Sequence, residues 1–205
     1  MAFKKLLPPL NEALERLEVT SPTEFQKKVL PKIKGGANFF GIAPDGAGKT
    51  TAMIIGTLQK LNCAQFEDAP RALILVKDKA AVLALQEAFE RFTFRMDLRV
   101  YSVYEEMHID TQRSEIFAGT DIVIATPKRL NKLFYLNGIN LGSLKLFMVD
   151  DAEFLSNPKE FSFMARIPES LNRCQYAIFS SERHKRMERM QELFMPNAQF
   201  IEQKS

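Results

Sequence analysis

Asn38-Phe-Phe-Gly-Ile42, running straight into Ala43-Pro-Asp-Gly-Ala-Gly-Lys-Thr-Thr51, is the stretch whose reading decides the fold. Phe39, Phe40 and Ile42 leave no polar face, which marks a strand covered on both sides. Glycines at 46 and 48 then turn the chain tightly, and apolar residues return at helical spacing over Thr50–Leu61. Strand, turn and helix in that order open a βαβ unit. The same alternation repeats outward from it. Apolar runs recur at Ala72–Lys77, Leu98–Ser102, Asp121–Ala125, Lys145–Val149, Gln175–Ser180 and Ala198–Ile201. Helical spacing recurs at Ala80–Phe92, Thr111–Phe117, Pro127–Tyr135 and Glu182–Phe194. Two further helices, near Leu10–Leu17 and Glu24–Lys34, precede the first strand. The pattern predicts an α/β fold: a doubly wound, mostly parallel sheet in three layers, with helices on both faces.

Length and composition agree with one such domain over residues 1–205, its N-terminal helices in 1–35 and its core in 36–205. A hydrophobic content of 46% fits a globular chain, and a net charge of +3 neither requires nor excludes a polyanionic partner. Cys63 and Cys174 have no metal-ligand spacing and read as packing residues of a reduced compartment. The opening apolar stretch is broken by Pro8 and Pro9, and no later run approaches the roughly 18 apolar residues of a membrane span. A cytoplasmic protein is expected.

The turn after the first strand has the chemistry of a phosphate cradle. Triphosphate needs a backbone that curls and aims several N–H groups inward, which Gly46, Ala47 and Gly48 permit. Lys49 puts a positive charge on the outer phosphates, and the Thr50 hydroxyl, followed by Thr51, is placed for Mg²⁺. The helix that starts there adds its positive dipole end. Ala43 stands where the general P-loop pattern has its first glycine. Asp45 is anomalous, because a carboxylate beside phosphates repels them unless its side chain turns away to solvent. A second acidic element, Leu146-Phe-Met-Val-Asp-Asp-Ala-Glu153, offers Asp150 to hold Mg²⁺ and Asp151 to orient water.

With both elements in view the chain resembles the N-terminal RecA-like domain of DEAD-box RNA helicases, a P-loop NTPase fold. Asp150-Asp151-Ala152-Glu153 takes the place of that family's Asp-Glu-Ala-Asp, and the family's P-loop itself begins with alanine. Ser21-Pro-Thr-Glu-Phe-Gln26 is similar to its adenine-reading element. The resemblance implies that Gln26, beside Thr23, reads the base and that Phe3 stacks on it. Thr126-Pro-Lys-Arg129 resembles the Thr-Pro-Gly-Arg grip on an RNA backbone, and Phe179-Ser-Ser-Glu182 stands in place of Ser-Ala-Thr. ATP and Mg²⁺ are the implied cofactors, bound by Phe3, Thr23, Gln26, Ala43, Asp45, Gly46, Ala47, Gly48, Lys49, Thr50 and Thr51. Thr50 and Asp150 are the implied metal ligands, with Lys49, Asp150 and Asp151 carrying hydrolysis.

Departures from the family pattern fall on working positions. Asp151 is one methylene shorter than the expected glutamate, and an ångström of misplacement costs about 100-fold in rate. Glu153 and Glu182 replace the residues that tie nucleotide state to closure. If adjacent, the two carboxylates repel or share a proton, so that linkage is expected to be rewired or lost. On the RNA side Lys79 replaces an arginine, and Glu105-Glu106 stand near a usual Gly-Gly pair. Weak RNA contact through Lys79, Thr126 and Arg129 is expected. No second RecA-like half or arginine finger follows within the sequence, and such a finger contributes about 10³ to 10⁵ in rate. The expected function is ATP binding, with hydrolysis and unwinding weak or absent in isolation. The alternative is a non-catalytic module that docks a protein or RNA independently of nucleotide, a protein partner taking the face that a second domain would cover.

Overall fold

A computed structural model describes residues 3, 5–171 and 173–203. Seven strands form one sheet: β1 (Phe39–Ile42), β2 (Ala72–Leu75), β3 (Val100–Val103), β4 (Ile122–Ala125), β5 (Leu146–Val149), β6 (Gln175–Ser180) and β7 (Gln199–Glu202). Their order is β3-β4-β2-β5-β6-β1-β7, and every neighbouring pair is parallel. The sheet is therefore wholly parallel, one step beyond the mostly parallel sheet expected. Among the described residues eight α-helices accompany it: α1 (Pro8–Arg16), α2 (Glu24–Gly35), α3 (Lys49–Lys60), α4 (Lys79–Thr93), α5 (Ile109–Phe117), α6 (Pro127–Tyr135), α7 (Pro158–Ala165) and α8 (Lys185–Leu193).

Alternate residues of the central strands serve opposite layers, because successive side chains leave a strand on opposite faces. Phe39, Ile74, Met148 and Phe179 join one core with residues of α1 to α4. Phe40, Leu73, Phe147 and Ile178 join the other with residues of α6 to α8. Parallel strands need this double cover, which explains why the apolar runs lack a polar alternate.

Two features escape the apolar pattern. The helix α7 and short 3₁₀ turns at Ala152–Ser156 and Pro168–Ser170 lie between Asp150 and β6, where no element was expected. A local signal does mark α7. Asn157 caps it, its Oδ1 accepting from Lys159 N at 2.9 Å, and Pro158 follows at the first helical position. The helix α8 starts at Lys185 and not at Glu182, because Ser181 to His184 form the turn that leaves β6.

A parallel sheet places all strand C-termini on one edge, and ligands of such sheets bind in the crevice outside it. Here β5, β6 and β1 are consecutive in the sheet, so the loops that follow them lie side by side. Those strand ends and loops carry Asp150, Ser180 and the glycine turn. Among the described residues no helix is long and apolar enough to cross a membrane.

Candidate nucleotide site and nucleic-acid face

Gly46 and Gly48 adopt φ of +80° and +88°, backbone that glycine enters without the Cβ penalty, and the turn they make delivers Lys49 to the first turn of α3. Lys49 is 6% exposed. Its ammonium donates to Ala43 O at 2.9 Å and to Asp45 Oδ1 at 3.1 Å, and lies 3.9 Å from Asp151 Oδ1. Asp45 thus lies open to solvent, its side chain 94% exposed, while one carboxylate oxygen stays on the buried Lys49 ammonium. Thr50 Oγ1 donates to Asp150 Oδ2 at 3.2 Å, across 100 residues of chain. The glycine turn and the acidic end of β5 converge.

Asp150 has the electrostatics of a cation ligand. Burial, and then the neighbouring charge of Asp151, push its carboxyl up to about 6, against the Thr50 hydrogen bond and the Lys49 charge. Among the described residues its buried Oδ1 has no hydrogen-bond partner. An orphaned carboxylate oxygen beside a threonine hydroxyl and a lysine fits a divalent cation, which would give that oxygen its missing partner. Among the described residues no three His, Cys, Asp or Glu side chains cluster to hold a metal alone. The donor set therefore suits Mg²⁺, which keeps waters and shares its ligands with phosphate. Asp151 sits at φ +46°, a left-handed backbone that aspartate tolerates better than most residues, and its carboxyl is raised by burial and by Glu153 and Asp45, against Lys49.

The element expected to read adenine is hydrogen-bonded to the same turn. Thr23 caps α2 and, with Gln26, completes a reciprocal capping box. Thr23 Oγ1 donates to Ala47 O at 2.7 Å, and Gln26 Nε2 donates to Gly48 O at 3.2 Å while its Oε1 accepts from Thr23 N at 3.0 Å. Gln26 is 3% exposed, so both ends of its amide bond within the protein. Phe3 lines a cavity of about 420 Å³ with Pro22, Gln26, Leu30 and Gly56, bringing the two residues expected to frame the base to one apolar slot. Ala43 and Ala47 are buried in the turn's floor, and Thr51 is half-buried in the first turn of α3.

Glu153 is engaged by the end of β6. Glu153 accepts from Ser180 Oγ at 3.0 Å, from Ser181 Oγ at 2.6 Å and from the Ser181 N–H, while Ser180 Oγ also reaches Glu182 O at 2.7 Å. Burial raises the Glu153 carboxyl, but the Ser181 and Ser180 bonds outweigh it and hold it below the ordinary glutamate range. Repulsion between Glu153 and Glu182 does not arise, because the serines take the first carboxylate and the Glu182 side chain stays exposed. The tie between the β5 and β6 loops is kept, rewired through two serines.

On the other side of the C-terminal edge, Lys79, Thr126 and Arg129 come together around the loop after β3. Lys79 Nζ lies 5.2 Å above the Tyr104 ring. Thr126 Oγ1 donates to Glu105 Oε2 at 2.7 Å. Arg129, 7% exposed, donates through Nε to Tyr104 O at 3.1 Å and through one terminal nitrogen to Met107 O at 2.6 Å and to Glu105 O. Sequence reading did not find this loop-holding role of Arg129, whose partners are backbone carbonyls more than twenty residues away.

Fold and site together define a RecA-like P-loop domain. The profile of the DEAD/DEAH box helicase family matches residues 23–188, and the chain belongs to that family. It is 32% identical over 152 residues to the ATP-dependent rRNA helicase RRP3 of Debaryomyces hansenii, covering 74% of this chain and 31% of that protein. It is 29% identical over 198 residues to RRP3 of Scheffersomyces stipitis, covering 94% and 40%. The chain thus spans about 31% to 40% of the length of these curated relatives. Among solved structures, a DEAD box protein from the hyperthermophile Methanococcus jannaschii superposes with TM-score 0.90 at 21% identity, over 98% of this chain and 55% of that one. S. cerevisiae Dbp5 bound to RNA and ADP·BeF₃ superposes with TM-score 0.84 at 19% identity, over 99% and 52%. At those identities the likeness is one of fold.

Proposed function

We propose that this domain binds Mg–ATP between the glycine turn and the end of β5, hydrolyses it slowly, and touches an RNA backbone weakly through Lys79 and Thr126. The observation that carries the reading is the meeting of Thr50 and Asp150 at 3.2 Å, with Lys49 beside Asp151. Nothing in ordinary packing needs a hydroxyl, a buried carboxylate with a free oxygen and a buried ammonium at one point. Phosphate and Mg²⁺ together need all three.

In this reading Lys49 gives up its carboxylates and takes the outer phosphates, while the N–H groups from Gly46 to Thr51 point their dipoles at the same charge. Thr50 and Asp150 hold Mg²⁺, which when bound neutralises the phosphate oxygens. Asp151 accepts a hydrogen from the attacking water and so orients it. Phe3 stacks on the base, and the Gln26 amide reads it by exchanging its bonds to Thr23 and Gly48 for bonds to adenine. Slow hydrolysis follows from the short Asp151 side chain. Unwinding belongs to an assembly with a second domain.

The test is calorimetric titration of the chain with Mg–ATP and Mg–ADP. Binding by the wild type and at least about a tenfold loss in Lys49→Ala are expected, since a charge-assisted phosphate contact exceeds 1.4 kcal/mol. No heat from the wild type would defeat the nucleotide reading and leave the non-catalytic docking module.

A further inference from the structure

One loop, Tyr104 to Met107, engages all three side chains that the Thr-Pro-Lys-Arg element and its neighbour would offer to RNA. The engagements differ in kind. Arg129 is buried under neutral carbonyls, which fixes the loop's path. Lys79 rests on an aromatic face and keeps its charge exposed. Thr126 is otherwise: its hydroxyl has a single proton, and that proton is already donated to a carboxylate at 2.7 Å. A charge-assisted bond of this kind is the bond a phosphodiester oxygen would make. Glu106 adds a second exposed carboxylate next in sequence. Glu160, near the start of α7, is raised by burial and by the charge of Glu105, with Lys128 offsetting it, so the Glu105 charge also reaches the neighbouring helix.

We infer that the Glu105 carboxylate is a resident stand-in for an RNA phosphate: it occupies the Thr126 hydroxyl and closes this face until the loop lifts. The inference rests on the RNA part of the proposed function, not on the nucleotide part. It also separates two effects that a count of charges would merge. Glu106 repels a phosphate chain only through its field, whereas Glu105 takes the hydrogen-bond donor as well.

Fluorescence anisotropy with a labelled single-stranded oligouridylate tests this on the full chain at one low ionic strength. The set is wild type, Glu105→Gln, Glu106→Gln and the double variant Glu105→Gln/Thr126→Val, with Thr126→Ala as a second form of the same deletion. Glu105→Gln is expected to tighten binding about tenfold, one charge-assisted bond, and the double variant to lose most of that gain. Glu106→Gln, with the same change of charge, is expected to gain no more than about twofold, a screened long-range effect. Equal gains in the two glutamine variants, a gain that survives loss of the Thr126 hydroxyl, or no gain at all overturns the inference. Thermal unfolding of each variant identifies any change that comes from misfolding. Mg–ATP titration of the same proteins judges the nucleotide reading separately: a wild type that fails to bind ATP while the RNA series behaves as stated defeats only that reading.

Discussion

Lys49 shares a buried ammonium among one carbonyl and two carboxylates, and any incoming phosphate has to compete with them. The Asp45 side chain is 94% exposed, so its pair with Lys49 belongs to the weak class, about 0.2–1 kcal/mol. On the proposed function its greater effect is repulsion of phosphate. Asp45→Asn keeps the shape and removes the charge. It is expected to tighten Mg–ATP about fivefold at low salt, with the gain shrinking as salt rises, measured by titration. Unchanged affinity would show that Asp45 swings clear when nucleotide binds. The identities of Lys49, Thr50 and Asp150 were legible in the sequence because their chemistry is specific to the residue type. The direction of Asp45 and the commitments of Gln26 were not, since a sequence gives donors and acceptors without saying which partner each has already taken.

The starts of three strands are tied together at one residue. Asp121, just before β4, is fully buried and accepts from Arg71 at 2.6 Å, ahead of β2, and from Arg99 Nε at 3.0 Å, ahead of β3. It also takes the backbone N–H of Phe66 at 3.1 Å. Burial raises the Asp121 carboxyl, but the bonds from Arg99 and Arg71 outweigh it, and the folded state holds it below the ordinary value. A carboxylate held low contributes stability that is complete above its unfolded pKa and lost as pH falls through its folded one. Urea unfolding is therefore expected to show wild-type stability falling below about pH 4, a fall that is shallower in Asp121→Asn. At neutral pH the same variant is expected to lose about 3–5 kcal/mol, because it leaves a buried guanidinium without its charge partner. A pH profile parallel to wild type would contradict this assignment. At this scale the strands were legible from their apolar runs, each covered on both faces. The helix α7 was not, because its signal is an Asn157-Pro158 cap and not a long apolar stripe. The Glu153 tie through Ser180 and Ser181 was hidden for another reason: it depends on β5 and β6 being neighbours, which spacing along the chain does not give.

Across the whole molecule, the sheet order explains why distant motifs lie together. Lys49 and Asp150 are about half the chain apart, yet they meet because β1, β6 and β5 are consecutive and end on one edge. The same edge carries the face closed by Glu105, so the proposed nucleotide and nucleic-acid elements share one sheet. On the proposed function the glycine turn and the acidic strand end hold one Mg–nucleotide between them. The direct measurement is the gain in ATP affinity that Mg²⁺ gives the wild type, set beside the gain it gives Asp150→Asn. A neutral amide is a poor ligand for Mg²⁺, so Mg²⁺ is expected to tighten ATP in the wild type, with a gain at least about tenfold smaller in the variant. An equal Mg²⁺ gain in both proteins would contradict it, because the two elements would then lie together without sharing the ion.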